Sequence, residues 1–279
     1  MDRIGDYQIL GVLGKGAHST ILHIRRRADG HSYALKVVPI DGADDQKFLD
    51  QAQHEFRVAQ MLDHPNLVKI YCLETERDWL RRVKEVRLLI EYVAGKTLDT
   101  CPPLTLPQLV RVFARVADGM VHMHRRGIWH GDLKPNNIMV ARTGEVKVID
   151  YGLACVRGEP PRKRRQGTPQ FMAPESARHG ILNAQTDVYN FGATMYRLVT
   201  GRWPPQYASA SGLPVVARSD ECAYRPVAEC RPDAPPVLAD LLERCLAADP
   251  KRRPARMSEI QGALDRLADD LAAPHFSGS

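Results

Sequence analysis

From residue 130 the chain reads His130-Gly131-Asp132-Leu133-Lys134-Pro135-Asn136-Asn137, and after a short apolar stretch it reaches Asp150-Tyr151-Gly152. A carboxylate, a lysine, an amide and a second carboxylate are thus spaced as phosphoryl transfer from magnesium-bound ATP requires. Asp132 can accept or orient a hydroxyl proton, and Lys134 can offset phosphate charge. The side-chain oxygens of Asn137 and Asp150 are hard donors suited to Mg2+. Each residue alone has a plainer use: Asp132 could cap a turn, and Asp150 could be the polar end of a strand from Val146 to Ile149. Their conjunction at these spacings favours chemistry.

Such side chains need elements to hold them. Leu13-Gly14-Lys15-Gly16-Ala17-His18-Ser19-Thr20-Ile21 lies between two β-rich stretches. Its glycines let backbone approach phosphate oxygens with no Cβ in the way, although any tight hairpin favours glycine too. Tyr33-Ala34-Leu35-Lys36 ends an apolar strand on a lysine that needs a counter-charge. The segment Lys47 to Leu62, with Phe48, Ala52, Phe56, Ala59 and Leu62 near helical spacing, carries Glu55 as that partner, a solvated helix face being the alternative. The strand Arg87 to Val93 leads into Ala94-Gly95-Lys96-Thr97-Leu98, and Glu74 to Val86 before it reads as a solvated hairpin extension. Thr105 to Gly127, apolar at Leu109, Val112, Phe113, Val116, Met120 and Met123, is an amphipathic helix that ends at glycine, with its methionines in the core.

The 130–137 and 150–152 segments resemble the catalytic loop and metal motif of eukaryotic-type (Hanks-type) serine/threonine protein kinases, His-Arg-Asp-Leu-Lys-Pro-x-Asn and Asp-Phe-Gly. Gly131 replaces the arginine and Tyr151 the phenylalanine. His-Gly-Asp is also the usual form in aminoglycoside and choline phosphotransferases, so other segments must decide. Gly167-Thr168-Pro169-Gln170-Phe171-Met172-Ala173-Pro174-Glu175 resembles the segment that seats the substrate hydroxyl. Asp187-Val188-Tyr189-Asn190-Phe191-Gly192 resembles the helix start whose buried aspartate braces the catalytic loop. Asp249-Pro250-Lys251-Arg252-Arg253-Pro254 resembles the late Asp-Pro-x-x-Arg-Pro motif. Small-molecule phosphotransferases lack the Ala-Pro-Glu segment and this arginine, so the resemblance, covering about Tyr7 to Ala268, is to protein kinases.

That resemblance implies an α+β, bilobal protein kinase fold. The N-lobe, small and β-rich with one key helix, would span 1–93, the larger and mainly helical C-lobe 94–271, and a frayed tail 272–279. It implies catalytic roles for Asp132, Lys134, Lys36 and Glu55. ATP would lie against Leu13, Gly14, Lys15, Gly16, Ala17, His18, Ser19, Ile21, Ala34, Lys36, Ile90, Glu91, Val93, Thr97 and Met139, with Ile90 guarding the back of the pocket. Mg2+ or Mn2+ would sit on Asn137 and Asp150. In the substrate segment, Thr168 would bond near Asp132 and Lys134, and Arg253 would pair with Glu175.

Composition is that of one enzyme-sized unit of 279 residues with a formal net charge of +6. No stretch reaches the roughly 18 apolar residues of a membrane span, and Met1-Asp2-Arg3 starts without a signal-peptide core. The six cysteines, at 72, 101, 155, 222, 230 and 245, show no Cys-x-x-Cys pair, as expected of reduced thiols in the cytoplasm. Part of the charge is concentrated in Arg162-Lys163-Arg164-Arg165. With no interleaved aromatics this argues against nucleic acid, and points to a solvated loop or to an acidic protein substrate or partner. Between Leu153 and Gly167 there is no serine, threonine or tyrosine, and Gly131 cannot grip a phosphate, so loop phosphorylation is not expected to be the switch. An active serine/threonine kinase, a nucleotide-holding pseudokinase and a small-molecule phosphotransferase all remain open. The Arg- and Ala-rich composition and Asp233-Ala234-Pro235-Pro236 resemble bacterial relatives. Oligomeric state is not legible.

Overall fold

Runs rich in β-branched and aromatic residues, punctuated by Gly and Asp at the turns, build an antiparallel sheet in the first third of the chain. The computed structural model describes residues 3–4, 6–16, 18–42, 45–159, 167–205 and 224–273. Ala17, Cys222, the basic run 162–165 and residues 274–279 lie outside them. Six strands, β1 (Arg3–Ile4), β2 (Tyr7–Lys15), β3 (Thr20–Arg26), β4 (Ser32–Pro39), β5 (Ile70–Arg77) and β6 (Val83–Glu91), form one sheet in the order β1-β2-β3-β4-β6-β5. Register places Ala34 opposite Ile90 and Lys36 opposite Leu88. Ile24, Leu35 and Leu89 are the buried centre of the sheet. The stretch expected as a solvated hairpin extension is one: β5 runs to Arg77, β6 starts at Val83, and a turn of five residues joins them.

Helix α1 (Gln46–Ala59) crosses between β4 and β5. Its buried face is Leu49, Ala52, Glu55, Val58 and Ala59, whereas Phe48, Phe56 and Leu62 are only half-buried. The apolar positions 48, 52, 56, 59 and 62 centre on this same face, and Glu55 falls inside it. The lysine on β4 gives that carboxylate a reason to turn inward.

The remaining chain is mainly helical. Its elements are β7 (Gly95–Thr97), α2 (Leu106–Arg125), β8 (Ile128–Trp129), β9 (Ile138–Ala141), β10 (Val146–Val148), β11 (Cys155–Val156), α3 (Pro174–His179), α4 (Ala184–Thr200), α5 (Val227–Cys230), α6 (Pro236–Cys245) and α7 (Met257–Asp270). A reciprocal capping box fixes the start of α2: the Gln108 N–H donates to Thr105 Oγ1, and the Thr105 N–H to Gln108 Oε1. Met120 and Met123 are fully buried on this helix, as its period requires. Phe113 of α2 meets Phe191 of α4 edge to face, centroids 5.2 Å apart. By internal contacts the chain divides into two compact units, one of residues 1–94 with 150–152, the other of 95–149 with 153–279. The Asp150–Gly152 segment therefore groups with the β-rich unit, although in sequence it falls inside the helical one. Fold class is thus α+β, with a β-sheet unit carrying one helix and a mainly helical unit. Among the described residues no helix is long and apolar enough to cross a membrane.

Candidate active site

In the β-rich unit, β4 carries Lys36 and α1 carries Glu55, and the ammonium meets the carboxylate at 2.7 Å. Burial alone would depress the lysine. The Glu55 and Asp150 carboxylates outweigh it and hold Lys36 charged above its usual range. Glu55, only 3% exposed, is pushed up by burial and by Asp150 against the pull of Lys36. Asp150 has φ 68°, a left-handed conformation that aspartate tolerates better than most residues. Its Oδ1 accepts the Gly152 N–H at 3.1 Å. A Cβ at 152 would come within 2.9 Å of Gln51 Nε2 and 3.1 Å of Asp150 Oδ1, so a side chain there would displace the end of Gln51 and crowd the Asp150 carboxylate. Tyr151 is fully buried, and its hydroxyl donates to the Val68 carbonyl at 2.9 Å. Tyrosine is accommodated here because its polar end has found an acceptor.

A cavity of about 230 Å3 in this unit is lined by His18, Ser19, Lys36, Val38, Phe48, Gln51, Ala52, Glu55 and Asp150. The glycine-rich segment reaches it through a tight turn in which the Gly16 N–H donates to the Ser19 carbonyl at 2.8 Å. His18 does not point into open space; its ring stacks on Phe48 of α1, centroids 4.0 Å apart. Leu13, beside a register shift in β2, is exposed, while Ile21 on β3 is half-buried. Gly14 pairs with Ile21 and Lys15 with Thr20 across β2 and β3. Ala34 is buried opposite the half-buried Ile90. Glu91 accepts the Lys69 N–H on its carboxylate, and Val93 is buried.

In the helical unit the 130–137 segment is held by buried side chains of α4. Asp187, fully inaccessible on α4, accepts the backbone N–H groups of His130 at 2.8 Å and Gly131 at 2.9 Å, and lies 2.9 Å from His124 Nε2. Thr194, one helical stretch further on, donates to the Leu133 carbonyl. Lys134 Nζ then bridges Asp132 Oδ2 and Thr168 Oγ1, each at 2.7 Å, and the Thr168 N–H donates to Asp132 Oδ1 at 2.8 Å. Asn137 sits in a 3-10 turn (Pro135–Asn137) and donates its side-chain N–H to the Asp132 carbonyl at 2.8 Å, which turns the amide oxygen away from that carbonyl. The Ile149 N–H donates to the Asn137 carbonyl, so the residue preceding Asp150 is tied to the same turn. Thr97 and Met139 are direct partners across β7 and β9.

The 167–175 segment is locked by Arg253, whose guanidinium meets Glu175 in a two-pronged pair at 2.6 and 2.9 Å and also donates to the Gln185, Ala247 and Ala248 carbonyls. Gly131 has φ 78°, and a Cβ there would lie 2.9 Å from the Leu153 carbonyl oxygen. Gly131→Arg is therefore expected to destabilise the chain by about 2 kcal/mol and not simply to add a phosphate-gripping side chain. A thermal melt of the variant checks this, and an unchanged midpoint would contradict it.

Sequence reasoning missed four contributors. Phe48 was assigned to the apolar face and Gln51 to none. The second partner of Asp187, His124, is 63 residues away, and Thr194 sits unremarked inside a helix. None belongs to a motif; only the helical phase of α1, which puts 48, 51, 52 and 55 on neighbouring positions, could have flagged the first two.

Comparison with known proteins follows the same lines. The protein kinase domain family matches residues 7–264. The serine/threonine-protein kinase PrkC of Bacillus subtilis is 28% identical over 95% of this chain and 41% of its own length. The serine/threonine-protein kinase PknB of Mycolicibacterium smegmatis is 30% identical over 95% of this chain and 43% of its own. The serine/threonine-protein kinase pkn3 of Myxococcus xanthus is 30% identical over 94% and 50%. The chain thus spans half or less of the length of these curated relatives.

Proposed function

Since the chain belongs to the protein kinase domain family, we propose that it transfers the γ-phosphate of ATP to serine or threonine hydroxyls of a protein substrate. The observation that carries this reading is the Asp132, Lys134 and Thr168 network. Asp132 holds a carboxylate where an incoming hydroxyl needs a proton acceptor or an orienting partner. Lys134, fixed between that carboxylate and Thr168, supplies positive charge beside it. Lys36, kept charged by Glu55, acts on the ATP phosphates, and the 13–21 loop covers them. In the β-rich unit Ala34, Ile90, Glu91 and Val93 are the ATP-binding positions, and in the helical unit Thr97 and Met139.

Asn137 and Asp150 suit Mg2+ or Mn2+ because both offer hard oxygens: the Asn137 amide is turned by its bond to the Asp132 carbonyl, and Asp150 is set by its left-handed backbone. Such an ion, once bound, supplies charge neutralisation at the phosphate oxygens. Residues 1–93 serve as the nucleotide lobe, 94–271 as the substrate lobe and 272–279 as a tail. The free thiols of Cys72, Cys101, Cys155, Cys230 and Cys245 suit a reducing cytoplasm. The test is incubation with radiolabelled ATP and phosphoamino-acid analysis. Phosphoserine and phosphothreonine are expected. Phosphotyrosine as the main product overturns the specificity, no incorporation leaves a pseudokinase, and transfer to an aminoglycoside or choline reassigns the substrate class.

Activation-loop phosphorylation is not the switch in this proposal, since Gly131 carries no cation and 153–166 carries no hydroxyl. Arg162, Lys163, Arg164 and Arg165 instead recruit an acidic substrate. Replacing all four by alanine should raise KM for acidic peptides several-fold and leave KM for ATP unchanged. The wild-type preference should fade with salt, because the Debye length is about 8 Å at physiological ionic strength. Equal kinetics on acidic and neutral peptides in both proteins would remove the recruiting role.

A further inference from the structure

The turn between β5 and β6 takes no part in the chemistry proposed above, yet it carries the most exposed tryptophan of the described residues. Trp79 is 88% exposed and the adjacent Leu80 47%. A solvated loop would normally avoid paired apolar side chains, and this turn does not hold them out by accident. The Asp78 N–H donates to the Arg82 carbonyl, and Asp78 Oδ1 accepts the N–H groups of Leu80 at 2.8 Å and Arg82 at 2.9 Å. The Arg81 N–H closes on the Asp78 carbonyl, and Arg77 donates to the Arg81 carbonyl at 3.0 Å. The backbone of the tip is therefore fixed with Trp79 and Leu80 facing solvent.

Basic residues predominate at this apolar tip, and the carboxylates next along the hairpin, Glu76 and Glu85, are both engaged by Arg87. Residues 77–84 contain Arg77, Arg81, Arg82 and Lys84 against a single carboxylate, Asp78, which accepts hydrogen bonds from the turn itself. The side chains of Arg81, Arg82 and Lys84 are exposed and have no carboxylate partner among the described residues.

We propose that this tip docks the chain on an anionic phospholipid surface, with Trp79 and Leu80 entering the headgroup layer while Arg81, Arg82 and Lys84 meet lipid phosphates. A tryptophan is most at home at that depth, where its ring is desolvated and its N–H still finds water or ester oxygen. Basic residues beside it gain from the negative surface potential. A rigid protein partner fits the tip less well. Two apolar side chains on a narrow turn cover far less than the roughly 800 Å2 per partner of a stable protein interface, whereas a lipid surface moulds around a small projection.

The probe is pelleting of the full chain with vesicles of phosphatidylcholine alone or of phosphatidylcholine with phosphatidylglycerol. Wild type is expected to partition at least about tenfold better onto the anionic vesicles, and less as salt rises. Trp79→Ser with Leu80→Ser, and separately Arg81→Gln with Arg82→Gln, should each lose about tenfold while melting like wild type and phosphorylating a soluble peptide at the wild-type rate. Lack of preference for the anionic vesicles overturns the proposal, and so do tip variants that pellet as wild type does. Sedimentation velocity without lipid supplies another overturning result: self-association abolished by the Trp79 variant assigns the tip to a second copy of the chain. Capture on immobilised polyglutamate that depends on the tip, with no vesicle binding, assigns it to an acidic protein. Since the peptide rate is read separately, failure of the kinase reading and failure of lipid docking are distinguishable.

Discussion

Lys36→Met, Asp132→Asn and Asp150→Ala should each lower phosphotransfer by about 10²-fold or more, because each removes a different contribution to the transition state. Initial rates with radiolabelled ATP measure the loss, and thermal melts separate it from unfolding. The three variants should differ in stability. Lys36→Met leaves Glu55 buried without its 2.7 Å partner, and the carboxyl answers by taking up a proton, so the melting point falls. In Asp132→Asn the amide oxygen still accepts the Thr168 N–H, and the fold is kept while Lys134 loses its carboxylate. Asp150→Ala puts alanine at φ 68°, a strain of about 1–2 kcal/mol. Asp150→Asn avoids that strain and still removes the charge, so it should be inactive and nearly as stable as wild type. Wild-type-like turnover in Asp150→Ala would sink the mechanism.

How much of this was legible in the sequence depends on how local each feature is. The turn holding Asp132, Lys134 and Asn137 spans eight residues from His130, and a short motif dictates its own geometry through Pro135 and the 3-10 turn it starts. Helix α2 was legible for a similar reason, since its apolar period, its Thr105 cap and its terminal glycine agree. Helix α1 was legible as a helix and in its phase, with Glu55 as the partner of Lys36, although Leu49 and Val58 are buried where Phe48 and Phe56 are only half-buried. Its buried face includes a carboxylate whose burial depends on Lys36, 19 residues earlier on another element. The His18 and Phe48 stack, the placing of Gln51 beside Gly152 and the acceptor that Val68 offers Tyr151 likewise join residues far apart in the chain. Gly131 could be seen as a departure, but the reason a side chain is excluded lies in the Leu153 carbonyl, which approaches only in the folded state. Pairings with a motif at both ends, Arg253 with Glu175 above all, could be named in advance.

That pair carries the largest expected loss of stability. Arg253 is 4% exposed, donates to three carbonyls besides Glu175, and lies 5.0 Å from the centre of the Tyr189 ring. Arg253→Met removes the cation and leaves Glu175 and those carbonyls without their donor in a buried setting, so a loss of about 3–5 kcal/mol is expected. Denaturant unfolding measures it. Glu175→Gln should cost less, because the amide still accepts one guanidinium N–H and Arg253 keeps its carbonyl acceptors. Adding Glu175→Gln to Arg253→Met should recover part of the loss, since the uncompensated charge is gone. If the double variant is no more stable than Arg253→Met, the cost lies in the carbonyl bonds and the ring contact, and the ion pair itself is not what holds the 167–175 segment against α4.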